Sequence, residues 1–304
     1  MAESALYARM TTVLESAISV LRTAIEGALH WITNNKSQTA WGAVTATVLY
    51  HNIKRFPLAW HFRVFRNIWW PKVGHFDHRP GSVFRPVVTP SRAALLEMDY
   101  NLHKSNSTYF SDLDVARTDL LASLRAEAIR GGLYKEYKNG VMVLLAGTCC
   151  TFKKEISPGA PFDMHSRILT WDRKWLYVVT HYMEKRKGPG LYTYQPWKKP
   201  EEGNSASKFP VVFATAISKC VVKAGRLTVP PDKFLRAAGV LAADGDPGET
   251  SGSEKHAAND SPNLSDEEEW TWARVEQERL RALSMADGFA NGLDAAHEEF
   301  YALR

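Results

Sequence analysis

Residues 97–117 read EMDYNLHKSNSTYFSDLDVAR, and both the fold and the site turn on this stretch. Two carboxylates (Glu97, Asp99), an amide (Asn101) and an imidazole (His103) fall within its first seven residues. Directly after them the pattern becomes helical. Leu113, Ala116, Leu120, Leu124 and Ala128 recur at offsets of three and four, which predicts a helix from about Ser107 to Arg130. Ser105 or Asn106 can cap its start. Asp112 and Asp114 suit the positive end of the helix dipole, Arg125 and Arg130 the negative end, and Gly131-Gly132 stops it.

The polar cluster therefore sits at a helix N-terminus, where backbone N–H groups are unpaired and carry partial positive charge. Such an end can polarise an acyl carbonyl and stabilise the oxyanion that forms. A neighbouring carboxylate can attack the carbonyl or activate water, and an imidazole can orient that water or shuttle its proton. Capping and dipole acids alone also account for most of these residues.

Beyond Gly132 the period changes to that of strands. Val141–Ile156 reads as one or two strands after an Asn139-Gly140 turn, and Phe162–Thr170 as another. Asp172-Arg173-Lys174 turns the chain into a strand over Trp175–Glu184. Lys185–Ser207 is a long loop, Val211–Lys223 an apolar and central strand, and Pro230–Ala238 a short helix. Residues 241–268 have the composition of a disordered linker. Trp270–Leu283 can form an amphipathic helix with Trp270, Val275 and Leu280 as its apolar members. One long helix followed by antiparallel strands is an α+β architecture.

Upstream, residues 5–33 carry an amphipathic helical period that ends at Asn34-Asn35. Ser37–Ile53 is 17 residues without a formal charge, short for a membrane span. Next, Leu58, Phe62, Phe65 and Trp69 can share one helical face, beside Arg55, Arg63 and Arg66 and near Trp60 and Trp70. This pattern suits an interfacial helix or a helix packed on the main domain with solvated arginines. Residues 71–90, with Pro71, Pro80, Pro86 and Pro90, read as an extended connection.

The 304-residue chain is 45% hydrophobic and 23% charged, which excludes a chain disordered throughout, a collagen and a coiled-coil rod. Its net charge of +5 is unevenly placed: residues 241–304 carry fifteen acids and five bases, and the first 240 carry 18 acids and 33 bases. A basic body suggests an anionic partner or a membrane surface. Three cysteines, two of them adjacent, allow no disulfide framework and no CxxC zinc pattern, which points to a reducing, intracellular location. The N-terminus lacks the pattern of a secretory signal. No GxSxG elbow, P-loop or GxGxxG is present. His75-Phe76-Asp77-His78 looks metal-like but marks no third ligand, so neither metal nor cofactor is expected. Basic charge and aromatics alone, without a binding motif, do not indicate a nucleic-acid partner.

The quoted segment resembles the signature of hotdog-fold acyl thioesterases, D-x-D-x-x-x-H-x-N-N-x-x-Y with an Arg eight residues later. The corresponding positions are Glu97, Asp99, His103, Ser105, Asn106, Tyr109 and Arg117. Asn101 matches an Asn present in the plant acyl carrier protein thioesterases. Glu97 and Ser105 depart from the pattern, standing where the family has Asp and Asn. The order of elements over about residues 84–238 is also similar to fungal thioesterase-like proteins of polyketide and lipopeptide pathways and to mammalian membrane-associated thioesterase-superfamily proteins.

The resemblance implies a single hotdog domain over residues 84–240. A helical, aromatic and basic extension (1–83) would precede it, and an acidic linker (241–268) and a helical tail (269–304) would follow. It implies hydrolysis or transfer of an acyl group held as a thioester on CoA or acyl carrier protein, in secondary or lipid metabolism. Asp99, Asn101 and His103 would be catalytic, and Asn106, Ser107, Thr108, Tyr109 and Arg117 would bind substrate. A non-catalytic acyl-binding or membrane-scaffold role is the rival, motivated by the two departures. A lone hotdog unit implies a homodimer. Lys135, Lys138, Lys153, Lys154, Arg167 and Lys185-Arg186-Lys187 are candidates for meeting an anionic carrier. The expected place is the cytoplasm or the cytoplasmic face of a membrane, with peripheral membrane contact.

Overall fold

The structure, a computed structural model, describes residues 2–138, 140–185, 211–242 and 270–302. Asn139, Arg186, Lys187, most of the expected 185–207 loop and residues 243–268 of the expected 241–268 linker lie outside the described residues, whereas Leu241 and Ala242 are buried. The chain divides after Ile53 into two units. The first holds α1 (Ala2–Asn34) and α2 (Lys36–Asn52), broken at Asn35 as the sequence predicts. Among the described residues no helix is long and apolar enough to cross a membrane, and that includes α2, which holds nearly all of the uncharged stretch 37–53.

The second unit begins at Lys54. Residues 54–83, expected to belong with the extension, are therefore part of the domain. In chain order it contains α3 (Ala59–Trp69), β1 (Val87–Arg92), α4 (Asn106–Arg130), α5 (Leu133–Glu136), β2 (Met142–Phe152), β3 (Pro161–Trp171), β4 (Trp175–Glu184), β5 (Val212–Ala224), β6 (Leu227–Val229), α6 (Pro231–Ala237) and α7 (Trp272–Ala302). The sheet is antiparallel, in the order β1-β3-β4-β5-β2, with β6 returning on β5. Part of the expected extended connection forms β1. Pro90 lies in this edge strand, where a missing N–H interrupts no central ladder. The sheet packs around α4, which is the single hotdog fold.

Period decides which residues meet. The expected stripe Leu113, Ala116, Leu120, Leu124 and Ala128 is buried, each at 1% exposure or less. It faces Phe162, Met164 and Ile168 of β3, Val178 and Tyr182 of β4, and Ala214 and Ala216 of β5. The two alanines leave room for α4 to lie close to the sheet. Gly131 and Gly132 end α4 for different reasons. Gly132 has φ +94, and a Cβ on Gly131 would stand 1.9 Å from the carbonyl oxygen of Ala237 in α6.

Next to the apolar stripe α4 carries a second one: Asp112, Val115, Asp119, Ser123 and Glu127, again at helical offsets. The chain from Lys54 to Gly74 runs along it. Lys54 Nζ and Arg63 Nη1 reach Asp112 at 2.9 and 3.2 Å. Asn67 Nδ2 donates to the Val115 carbonyl at 3.0 Å. Lys72 Nζ meets Asp119 at 2.6 Å, and its N–H donates to Ser123 Oγ. The Gly74 N–H donates to Glu127. Three bases of the lead-in thus neutralise acids of α4. α3 thus packs on the domain with Arg63 and Asn67 turned to α4 and Val64 and Ile68 half-buried, while Arg55 and Arg66 stay in solvent.

The C-terminal tail is likewise part of the fold. α7 lies on the face of the sheet opposite α4, with Ala282 and Ala286 against Leu169, Tyr177 and Val179. Thr170 Oγ1 donates to the Arg279 carbonyl, and Arg279 donates to the Trp171 carbonyl. Trp270 packs on Phe84, directly over Gly81. Leu280, expected on the apolar face, is 54% exposed. The expected offsets of five rotate about 140° per step at 100° per residue, whereas Val275, Glu278, Ala282 and Ala286 share one face.

At the start of α4 the charges close into a buried cluster. Lys104, fully buried, bridges Glu97 and Asp112 at 2.9 Å each. Lys54 Nζ lies 2.8 Å from Glu97. Burial alone would raise the Asp112 carboxyl, but Lys54, Lys104 and Arg63 outweigh it and hold its pKa well below the usual carboxylate range. A depressed carboxylate stabilises the fold above its unfolded pKa, and that contribution is lost as pH falls through the folded value. Asp112→Asn should cost about 3–5 kcal/mol in denaturant unfolding at neutral pH, because it strands buried cations. The wild type should also lose stability below about pH 4, and the variant should lose less of it over that range. A variant as stable as wild type would contradict this role.

Candidate active site

Asp99 and His103 lie on a tight hairpin between the buried cluster and the first turn of α4. The Asp99 N–H donates to the His103 carbonyl, and the Leu102 N–H to the Asp99 carbonyl, both at 3.0 Å. Leu102 takes the left-handed conformation, φ 60, to close the turn. Met98 and Lys104 pair across its base. The Ser105 N–H donates to the Glu97 carbonyl, and the Lys104 N–H to the Ile156 carbonyl. The hairpin is thus tied on one side to buried charge and on the other to the segment after β2.

Within it, Asp99 Oδ1 accepts the Asn101 N–H at 2.9 Å. Its other oxygen, Oδ2, faces His103 Nδ1 at 3.5 Å. The opposite ring nitrogen, Nε2, lies 3.6 Å from Glu155 Oε1. Both contacts exceed ordinary hydrogen-bond length, as catalytic pairs without substrate often do. The side chains of Asp99 and His103 are 23% and 20% exposed, so water and ligand can reach them. A carboxylate–imidazole pair in that position can take up, hold and return one proton.

Glu155 is the member that the sequence did not single out. Nothing in its spacing marks it, and what places it is the fold. The Lys153 and Lys154 N–H groups both donate to the Phe213 carbonyl, and Ile156 is buried. Glu155 is held between these anchors, projecting to His103.

The other expected residues are distributed as follows. Asn101, Asn106 and Ser107 are exposed, Asn101 on the hairpin and the other two on the first turn of α4. Ser105 occupies the capping position, but its hydroxyl pairs with Ser107 Oγ rather than a backbone N–H. Thr108 Oγ1 donates to the Ser105 carbonyl and accepts from Lys104. Tyr109 is in the core against Phe152 and Tyr182, and its carbonyl accepts the Tyr182 hydroxyl. Arg117 stands eleven residues into α4, about 16 Å along the axis from Asn106. It is buried, paired with Asp114 and donating to Ser218 Oγ, away from the Asp99–His103 pair. Glu97, first acid of the motif, does not face the site. It accepts the Ala94 N–H and binds the buried Lys104 and the partly buried Lys54.

Among the candidate bases, Lys153 and Lys154 are exposed beside Glu155. Lys135 and Lys138 follow the far end of α4, some 36 Å of helix from the hairpin. Arg167 is buried, with one guanidinium nitrogen on the Ile168 carbonyl, and does not meet solvent as expected. Cys150, on the wall near Tyr109, is no thiolate at neutral pH, since burial pushes its thiol up to about 11. Among the described residues no group of three or more His, Cys, Asp or Glu converges as metal ligands. Asp77 pairs with Arg79 instead.

Residues 94–238 match the family described as the thioesterase-like superfamily. The chain is 35% identical over 279 residues to thioesterase poxG of Penicillium oxalicum, covering 86% of each chain. It is 32% identical over 256 residues to thioesterase lcsJ of Purpureocillium lilacinum, covering 76% of this chain and 75% of that one. The probable thioesterase atnL of Emericella nidulans is 29% identical over 282 residues, covering 86% of this chain and 87% of its own. A hotdog fold, an acid and imidazole before its long helix, and relatives of nearly full length agree: the chain belongs to the thioesterase-like superfamily.

Proposed function

We propose that this protein hydrolyses an acyl thioester carried on CoA or on an acyl carrier protein, with Asp99 as nucleophile or general base. The observation that carries the reading is the Asp99 carboxylate facing His103 at 3.5 Å, partly exposed, immediately before α4. Acting as base, Asp99 takes a proton from water as its oxygen adds to the thioester carbon. The exposed N–H groups of Asn106 and Ser107 meet the oxyanion, assisted by the helix dipole. Collapse of the adduct breaks the C–S bond, and the proton leaves with the thiol sulfur. His103 orients water and relays the proton, with Glu155 Oε1 3.6 Å from its far nitrogen. From the chain's resemblance to fungal thioesterase-like proteins, we propose that the acyl group released is one built by polyketide or lipopeptide synthesis.

Exposed apolar side chains support a homodimer that completes the site. Leu96, Tyr100 and Leu102 stand 68, 92 and 74% exposed around the hairpin. β2 is an edge strand displaying Met142, Leu144, Leu145 and Phe152. A long apolar edge of this kind is normally covered.

Three measurements test these statements. Asp99→Ala should lower turnover of acyl-CoA or acyl-carrier substrate by about 100-fold or more while the protein stays folded. Equal rates would remove Asp99 from the chemistry. Lys153→Glu with Lys154→Glu should raise KM for CoA or carrier thioesters about tenfold with little change in kcat. Short thioesters without phosphate should be unaffected, and an unchanged KM would remove this pair from carrier binding. Light scattering should give twice the 34.2 kDa chain mass, and a monomer would contradict the dimer.

A further inference from the structure

α3 is amphipathic in the sense opposite to that of an ordinary surface helix. Its polar side chains Arg63 and Asn67 face the domain, bound to Asp112 and to the Val115 carbonyl. Val64 and Ile68 are half-buried, and a stripe of large, mostly aromatic side chains faces out. Leu58, Phe62, Phe65 and Trp69 fall within about 60° of arc at 100° per residue. They are 73, 62, 43 and 63% exposed. Trp70 and Val73 extend the patch at 69 and 52%. Phe65 and Trp69 stack on one another at 5.4 Å, and His61 and Trp70 adjoin them.

The charge around this face is of one sign. Between Glu26 and Asp77 the sequence has six bases and no acid. Lys54, Arg63 and Lys72 are spent on Asp112 and Asp119. Arg55 and Arg66 remain exposed at the border of the aromatic face.

We infer that this face of α3 docks on an anionic lipid surface, with the helix lying in the headgroup region. Aromatic rings with an apolar body and basic side chains at the border are what an interfacial helix needs. Each exposed Lys or Arg near such a surface adds attraction to acidic headgroups. Eleven residues span about 16 Å, too short to cross and long enough to lie flat. A second copy of the chain fits less well. Two-fold packing of this face on itself would set Arg55 and Arg66 against like charges with no acid of the segment to pair with. The polar anchors explain how the face is presented: the bonds to Asp112 and Val115 fix the rotation of the helix, so the rings cannot roll inward.

The test is flotation of the full chain with vesicles of phosphatidylcholine alone or mixed with phosphatidylserine. Wild type should float with the mixed vesicles, less with phosphatidylcholine alone, and less at raised ionic strength. Phe62→Ser with Trp69→Ser should reduce partitioning about tenfold or more. Arg66→Glu should weaken binding to the mixed vesicles and leave the neutral ones unchanged. Because these side chains are exposed, each variant should keep the wild-type melting temperature and thioester turnover. Wild type that floats with neither vesicle would overturn the inference. So would a Phe62→Ser, Trp69→Ser variant that floats as wild type does. Loss of oligomer mass in that variant, without vesicle binding by wild type, would assign the face to protein association instead.

Discussion

The buried cluster of Lys54, Lys104, Arg63, Glu97 and Asp112 is the constraint on which the rest of the arrangement depends. Three cations and two carboxylates meet where the lead-in, the hairpin and the first turns of α4 converge. Taking charges out of water is costly, so each must find its partners in one geometry or the site does not close. Ser91 and Thr108 supply further hydrogen bonds to the two lysines. The cluster explains why a hairpin with exposed Tyr100, Asn101 and Leu102 at its tip can still hold Asp99 and His103 in register. It also gives Glu97 a structural role. Where the family pattern has Asp, the longer Glu side chain reaches two lysines and a backbone N–H.

The same pairing redistributes the charge seen in the sequence. The basic body is not a uniform surface awaiting an anion. Lys54, Arg63 and Lys72 are consumed along the acidic stripe of α4, and Arg167 is buried. What remains outside is more local: Lys153 and Lys154 beside the site, Arg55 and Arg66 beside the aromatic face of α3. Part of the acidic C-terminal segment returns to the domain as α7, whose alanines lie close over the sheet.

Strong periodic signals were legible in advance. The apolar stripe of α4, the Gly131-Gly132 stop, the Asp172 turn and the strands after Gly140 all follow from local spacing. Of the site, Asp99 and His103 stand on one hairpin in contact, as their separation of four residues allows. Glu155 was not legible, because it reaches His103 through sheet pairing and backbone anchors more than 50 residues away in sequence. Leu280 lies off the buried face of α7 because offsets of five do not hold one helical face. The orientation of α3 was open because its aromatic and basic faces are each complete. The acids of α4 decide between them.

The sequence by itself determined the elements and their order, the apolar face of the long helix and the acid–imidazole motif before it, since these depend on spacing along the chain. Only the tertiary structure decided which charges are buried, which acid of the motif faces the site, and which side of α3 meets solvent. Those outcomes depend on long-range ion pairs such as Lys54–Asp112 and Arg63–Asp112. Their partners lie about fifty residues apart, and no local period encodes such a contact.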